Sequence, residues 1–239
     1  LDWVTGAYFY HEKGVEFSPG GFFGGLIRQI GEVNNKSLSA FAQGSFKITP
    51  DLTLTGGIRL NKDKKAMVLK QDLNGSLCLL QVANATNTGL TRLPITGCFV
   101  NLKDNFSQPT GTISLDYKLS PDVLLYASGR FGYRSGGFNL RASQPVQYQP
   151  FDAETVKDIE VGTKADWMIG SIPMRTNLAV FYQKYSDIQR TVAVATSLGS
   201  PASTVINAAS ATVFGVEIQQ TIKPFDALSL QFNYAYNDP

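Results

Sequence analysis

Val123–Arg134 reads VLLYASGRFGYR. Val123, Leu125, Ala127, Gly129, Phe131 and Tyr133 hold one parity, and Leu124, Tyr126, Ser128, Arg130, Gly132 and Arg134 hold the other. Successive side chains of a strand point to opposite faces, so this stretch is a strand with one apolar face and one face carrying arginines. Working outward, Leu52, Leu54, Gly56, Ile58 and Leu60 alternate with Thr53, Thr55, Gly57, Arg59 and Asn61. The stretches Leu38–Ile48 and Leu228–Asn237 repeat the pattern, and Ile113–Lys118, Asp158–Lys164 and Phe214–Gln219 show it more weakly. Arg175–Arg190 is apolar on both parities around Leu178–Tyr182, and the opening stretch is mixed. Nine strands are predicted in all.

The links between them alternate in length. Thr49-Pro50-Asp51, Ser120-Pro121-Asp122, Ile169–Pro173 and Lys223–Asp226 are tight, whereas Lys13–Asn35, Leu69–Asn105, Ser135–Asp152 and Ala193–Ser203 are long. In an up-and-down sheet every second turn lies on the same edge, so one edge is trimmed and the other carries large loops. Outer-membrane barrels have this asymmetry, with short periplasmic turns and long external loops. Loops gathered on one edge form a binding surface.

Composition agrees. Charged residues make up 17% of the 239-residue chain, against about 25% in soluble domains. Aromatic residues reach 11%, which suits girdles at two membrane interfaces. A formal net charge of +2 argues against a nucleic-acid footprint. No apolar run reaches the roughly 18 residues of a spanning helix, so a membrane role must use strands. A soluble β-sandwich also alternates, with its apolar face in a core, and period two does not separate it from a barrel. Strand length, aromatic content and loop asymmetry favour the barrel. In a barrel Leu125, Phe131, Leu230 and Phe232 face outward without protein cover. In a sandwich they pack into a core.

Four further stretches follow one another. Tyr126–Asn139 reads YASGRFGYRSGGFN, Phe151–Trp167 reads FDAETVKDIEVGTKADW, Asn177–Gln189 reads NLAVFYQKYSDIQ and Asn207–Gln220 reads NAASATVFGVEIQQ. With the earlier hairpin LSAFAQGSFKITPDLTLTGGIRLNKDKK, Leu38–Lys65, this series resembles the barrel domain of TonB-dependent receptors. The matches are Tyr133–Asn139; Glu154, Glu160, Gly162 and Lys164; Phe181, Tyr182, Tyr185, Asp187 and Gln189; and Gly215, Val216 and Glu217. Ala153 stands where the family often has proline before the first glutamate.

The resemblance implies an all-β fold: an antiparallel up-and-down transmembrane β-barrel in the Gram-negative outer membrane, in contact with its lipid. It further implies a non-enzymatic transporter of a scarce nutrient, foremost a ferric siderophore, with no cofactor. Family members carry a plug inside a barrel of about 22 strands, and TonB pulls on a short box before the plug. Neither plug nor box is found in this chain, which opens on Leu1-Asp2-Trp3 in a strand-like pattern and stops at Tyr236-Asn237-Asp238-Pro239. Residues 1–239 are therefore expected to be a partial barrel domain, an open curved sheet of about nine strands that neither transports nor is stable alone. TonB would be reached through a plug outside this sequence. A passive porin-like channel is the alternative within membranes.

Within that frame, Cys78 and Cys98 share the longest loop. In an oxidising compartment they read as a disulfide, the rival readings being free thiols or a soft metal site, which lacks nearby histidines. His11 is the only histidine, so a multi-histidine metal site within the chain is excluded and a rim role expected. Arg134 and Arg141, with Phe138 and Asn139, rise toward the third long link. Guanidinium groups bind carboxylates and phosphates bidentately, so these suit an anionic ferric complex, whereas Arg130 is expected to pair with Asp158 or Glu160. Phe22 and Phe23, among Gly20, Gly21, Gly24 and Gly25, suggest an apolar cap over ligand or loop packing. Lys62, Asp63, Lys64 and Lys65 read as a solvated strand extension, and Gly136 and Gly137 as backbone-shaping residues.

Overall fold

The computed structural model describes residues 1–22, 25–86, 89–195 and 201–239. β1 (Asp2–Phe22), β2 (Gly25–Lys47) and β3 (Leu52–Leu73) come first. The segment after β3 carries three short strands, β4 (Leu77–Cys78), β5 (Gln81–Ala83) and β6 (Leu90–Arg92), and a 3-10 turn at Ile95–Gly97. β7 (Val100–Ser120) and β8 (Val123–Arg134) follow, then a 3-10 turn at Pro145–Tyr148. β9 (Glu154–Ile169), β10 (Ile172–Ser186), β11 (Gln189–Ala195), β12 (Pro201–Asn207), β13 (Ala211–Phe225) and β14 (Leu228–Asp238) complete the order.

One antiparallel sheet runs β1-β2-β3-β7-β8-β9-β10-β13-β14, with β4 attached to β3. The predicted nine-strand meander is present. Its tight turns are locally determined. Thr49 Oγ1 accepts the Leu52 amide at 3.0 Å, Ser120 Oγ accepts the Asp122 amide at 3.3 Å, and Gly170 takes a φ of 61° that a side chain would disfavour.

Two long links differ from expectation. Lys13–Asn35 is not a loop: β1 and β2 pair from Asp2↔Ser45 to Phe22↔Gly25. Gly14, Pro19, Gly20 and Gly21 read as loop residues, yet they lie in a continuous ladder with β2, and proline is tolerated because β1 is an edge strand in this sheet. Of the link Ala193–Ser203, the described residues 193–195 and 201–203 lie in a separate two-stranded sheet of β11 and β12. Arg175–Arg190 is accordingly not one strand. Asp187 turns the chain with a φ of 56°, in the left-handed region that aspartate visits more readily than most residues.

The two faces are chemically distinct. Leu125 is 39% exposed, Leu230 50% and Phe232 62%, and no second sheet covers them among the described residues. Phe131 is half-buried. Apolar side chains left bare in this way form a lipid-facing band, and the sandwich reading fails. The opposite face is polar and wired: Ser45 Oγ meets Thr55 Oγ1 at 2.8 Å, Arg130 bonds Asp158 and Glu160 as expected, and Tyr126 donates to Glu160 at 2.8 Å. Large rings on this face lie over glycines directly opposite them. A Cβ added to Gly162 would sit 2.6 Å from the Tyr126 ring, one on Gly215 2.2 Å from Phe181, and one on Gly6 2.6 Å from Phe41. Such aromatic cover of glycines pins register.

β1, β2, β3 and β7 have 21, 23, 22 and 21 residues, about twice the 9–11 that cross a bilayer. Their outer halves stand above the lipid. There the lumen parity of β3 and β7 turns apolar, and the buried cluster forms: Leu69, Cys78, Leu80, Leu102 and Ala142, with Met67, Phe138, Leu140 and Tyr148 packed against it.

Candidate functional site at the external mouth

The run Lys62–Lys65 is split by alternation. Lys62 and Lys64 are exposed on the lipid-face parity, whereas Asp63 and Lys65 take the lumen parity and are half-buried. Asp63 accepts the Tyr133 hydroxyl at 2.9 Å. Lys65 lines a cavity of about 310 Å³ whose wall also includes Asn35, Met67, Arg134, Phe138 and Gln189, and no carboxylate. Among the described residues neither Lys65 nor Arg134 makes an ion pair. The carboxylates opposite them in register are engaged elsewhere. Asp104 takes the Asn105 amide at 2.7 Å, and Glu154 takes the Gln189 amide at 2.9 Å. Two cations therefore face one open basin at the mouth.

Close backbone contacts set the basin's floor. Gly137 and Phe151 form a bridge closed by two hydrogen bonds, of 3.2 and 2.9 Å. A Cβ on Gly136 would lie 2.1 Å from the Phe151 carbonyl oxygen and 2.4 Å from the Phe106 ring. Around it, side-chain amides fasten neighbouring loop ends. Gln189 Nε2 donates to the carbonyls of Ser135 and Asp152, both at 3.0 Å, and Asn207 Nδ2 donates to those of Asp152 and Asp187.

The other predicted residues are distributed around this basin. Phe138 lines it from one side while packing on the buried cluster. Asn139 is turned to Val205, receiving its amide at 2.6 Å and donating to its carbonyl at 3.1 Å, which couples the third link to β12. Arg141 reaches Ser18 Oγ at 3.2 Å. Phe23 lies outside the described residues, as does the side chain of Phe22. His11 meets Asn34 Oδ1 at 2.8 Å on the rim. Lys65 was not singled out from sequence as a ligand residue; the signal was the parity it shares with Arg59 and Asn61.

Cys78 and Cys98 are joined, with Cα atoms 5.5 Å apart, and the bridge lies in the buried cluster behind the basin. Tyr148 completes that cluster. Its hydroxyl donates to the Gln81 carbonyl at 2.9 Å and accepts the Gln81 amide at 3.2 Å. Burial pushes the phenol up to about 12, opposed by its bond to the Gln81 backbone.

A family model described as TonB dependent receptor-like, beta-barrel matches residues 1–239. The chain is similar to the pesticin receptor of Yersinia pestis, 23% identical over 195 residues that make up 81% of this chain and 24% of that receptor. Among solved structures it is similar to the ferric yersiniabactin uptake receptor FyuA from Yersinia pestis, with a TM-score of 0.71 and 20% identity over 99% of this chain and 32% of that one. It is also similar to the siderophore receptor PiuA from Acinetobacter baumannii, at 0.58 and 18% over 88% and 27%, and to the hemophore receptor HasR of Serratia marcescens, at 0.60 and 16% over 99% and 42%. The chain spans about a quarter of the length of the curated relatives it matches. With the whole chain matched and the meander, lipid face and external mouth in place, it belongs to the TonB-dependent receptor β-barrel family of Gram-negative outer membranes.

Proposed function

We propose that this chain forms part of the wall and mouth of a receptor for TonB-coupled uptake of an anionic metal chelate, a ferric siderophore, and that it carries no enzymatic step. The observation that carries the reading is the basin in which Lys65 and Arg134 stand without ion-pair partners among the described residues. Guanidinium and ammonium groups suit carboxylate- or catecholate-bearing chelates, and Met67 and Phe138 offer apolar contact to a ligand scaffold. Energy coupling would come from a plug segment outside this sequence. The test is equilibrium binding of ferric siderophores of differing charge to the full-length receptor. Lys65→Gln with Arg134→Gln should weaken an anionic chelate at least tenfold, steepen no salt dependence and leave a neutral one nearly unchanged. Equal binding of the anionic chelate by variant and wild type would remove the basin from the function.

A further inference from the structure

Arg59 stands on the lumen face below the basin, and its side chain is braced rather than paired. Its Nε donates to Asn61 Oδ1 at 2.8 Å, and its guanidinium carbon lies 5.5 Å from the centroid of the Tyr8 ring. Asn61 is fixed in turn, since its Nδ2 donates to the Gln108 carbonyl at 3.1 Å and to Thr110 Oγ1 at 3.3 Å. Among the described residues Arg59 makes no ion pair, and neither of its terminal nitrogens has a hydrogen-bond partner. To reach Tyr8 from β3 the side chain crosses β2. There Ser39, opposite both Tyr8 and Asn61 in register, has a buried hydroxyl with no partner among the described residues.

The space beside this arginine is open. Gly57, Thr112, Arg130 and Asp158 form one register row, and Arg59 stands one lumen position outward of it. A cavity of about 540 Å³ has Phe41, Gly57, Arg59, Thr110, Thr112 and Gly132 in its lining. The carboxylate in that wall, Asp158, is taken by Arg130. Cations without ion pairs therefore descend the lumen face from Lys65 through Arg134 to Arg59, and end where Arg130 is neutralised by Asp158 and Glu160. Arg59 lies one lumen position below Arg134, about 7 Å along the strands and about 10 Å across them. One bulky chelate can bridge that step.

We infer that Arg59 is a second anion site, which receives a carboxylate or catecholate group of the solute as it leaves the basin. The inference deepens the uptake proposed above and rests on it. With Nε and the ring face already engaged, the two free nitrogens present a fork to an oxyanion. The brace holds that fork in place, so little side-chain freedom is lost on binding. Gly57 and Gly132 leave the floor without side chains, which gives the solute room beside the charge.

The test uses the full-length receptor carrying Thr112→Cys, whose thiol would stand in the cavity wall. Its modification by an anionic and by a cationic methanethiosulfonate is timed at low salt. Arg59→Gln should lower the anionic-to-cationic rate ratio about fivefold, the effect of one charge at about 7 Å on two opposite probes. Citrate, a bare carboxylate probe, should protect the thiol from both reagents, and Arg59→Gln should abolish the protection. Lys65→Gln with Arg134→Gln should leave it in place, so failure of the basin and failure of this site give different results. Arg59→Lys should keep the rate ratio and lose the protection, because an ammonium lacks the fork. A purely structural arginine would not separate the two. If Arg59→Gln loses heat-modifiable migration, Arg59→Lys decides alone, and protection at wild-type strength overturns the site. A ratio unmoved by Arg59→Gln would mean that a carboxylate elsewhere in the receptor already holds the guanidinium. A thiol that neither reagent reaches would mean that no solute passes there. Either result overturns the inference.

Discussion

Gly136→Ala should open the external basin without unfolding the wall. The new Cβ would be placed 2.1 Å from the Phe151 carbonyl oxygen and 2.4 Å from the Phe106 ring. Phe106 is buried and has little room to turn, so the backbone at Phe151 must yield. That oxygen accepts the Gly137 amide, and the Phe151 amide donates back to Gly137, so moving it breaks both bonds of the bridge. Each bond is worth about 1 kcal/mol, and overpacking a close contact costs about 1–3 kcal/mol. A local destabilisation of about 3 kcal/mol lowers amide protection about a hundredfold. Hydrogen exchange on the full-length receptor should show this loss at Phe151 and its neighbours, with ligand affinity falling in parallel. Gly56→Ala is the control, because a Cβ there meets nothing within 4 Å. Unchanged protection at Phe151 in Gly136→Ala would refute the claim that close backbone approach shapes the basin.

Two further predictions concern the cluster behind it. Replacing Cys78 and Cys98 by serine releases a loop closed over a sequence separation of 20, worth about 3 kcal/mol by loop entropy; limited proteolysis should then cut within 74–99 while heat-modifiable migration of the barrel is retained. Tyr148 has a folded pKa raised from 10.0 to about 12, so its stabilising contribution is fully present below pH 10 and is lost as pH rises through about 12. Exchange protection around Gln81 should fall across that interval in the wild type, and Tyr148→Phe should abolish the dependence.

Strand order and turns were legible because each signal is local: period two in Leu52–Asn61 and Val123–Arg134, and hydroxyl or glycine chemistry at Thr49, Ser120 and Gly170. The outer halves of the strands were not. Residues 13–22 and 25–35 contain glycines and a proline that argue for a loop, and only the partner strand makes a ladder of them. The basin escaped for a related reason. Arg134 stood out as an arginine on a clear lumen parity, whereas Lys65 sat in a run of charges that looks uniform until each residue is assigned a face. Asn139 was recognisable as polar and well placed, but its partner Val205 lies 66 residues away in a hairpin whose middle the local pattern reads as the long link Ala193–Ser203.

The family motifs acquire a physical content from these contacts. The glycine of the stretch around Glu160 is Gly162, seat for Tyr126; the glycine before Val216 is Gly215, seat for Phe181. A ring and a glycine in directly opposed positions match only in one register, and a two-residue slip that preserved the faces would set ring against side chain. The wall therefore specifies its pairing through lumen-face shape, since its apolar face meets fluid lipid and offers no interlocking partner. At the mouth the logic reverses: Leu69, Leu80 and Leu102 bury one another around the disulfide, as in a small soluble core. Lys65 and Arg134 sit at the junction of these two regimes, on strands held by the wall and against loops held by the core. It follows that loop exchange or loss of the disulfide should change ligand affinity while leaving insertion intact, whereas changes at Gly162 or Gly215 should impair assembly before affinity is ever measured.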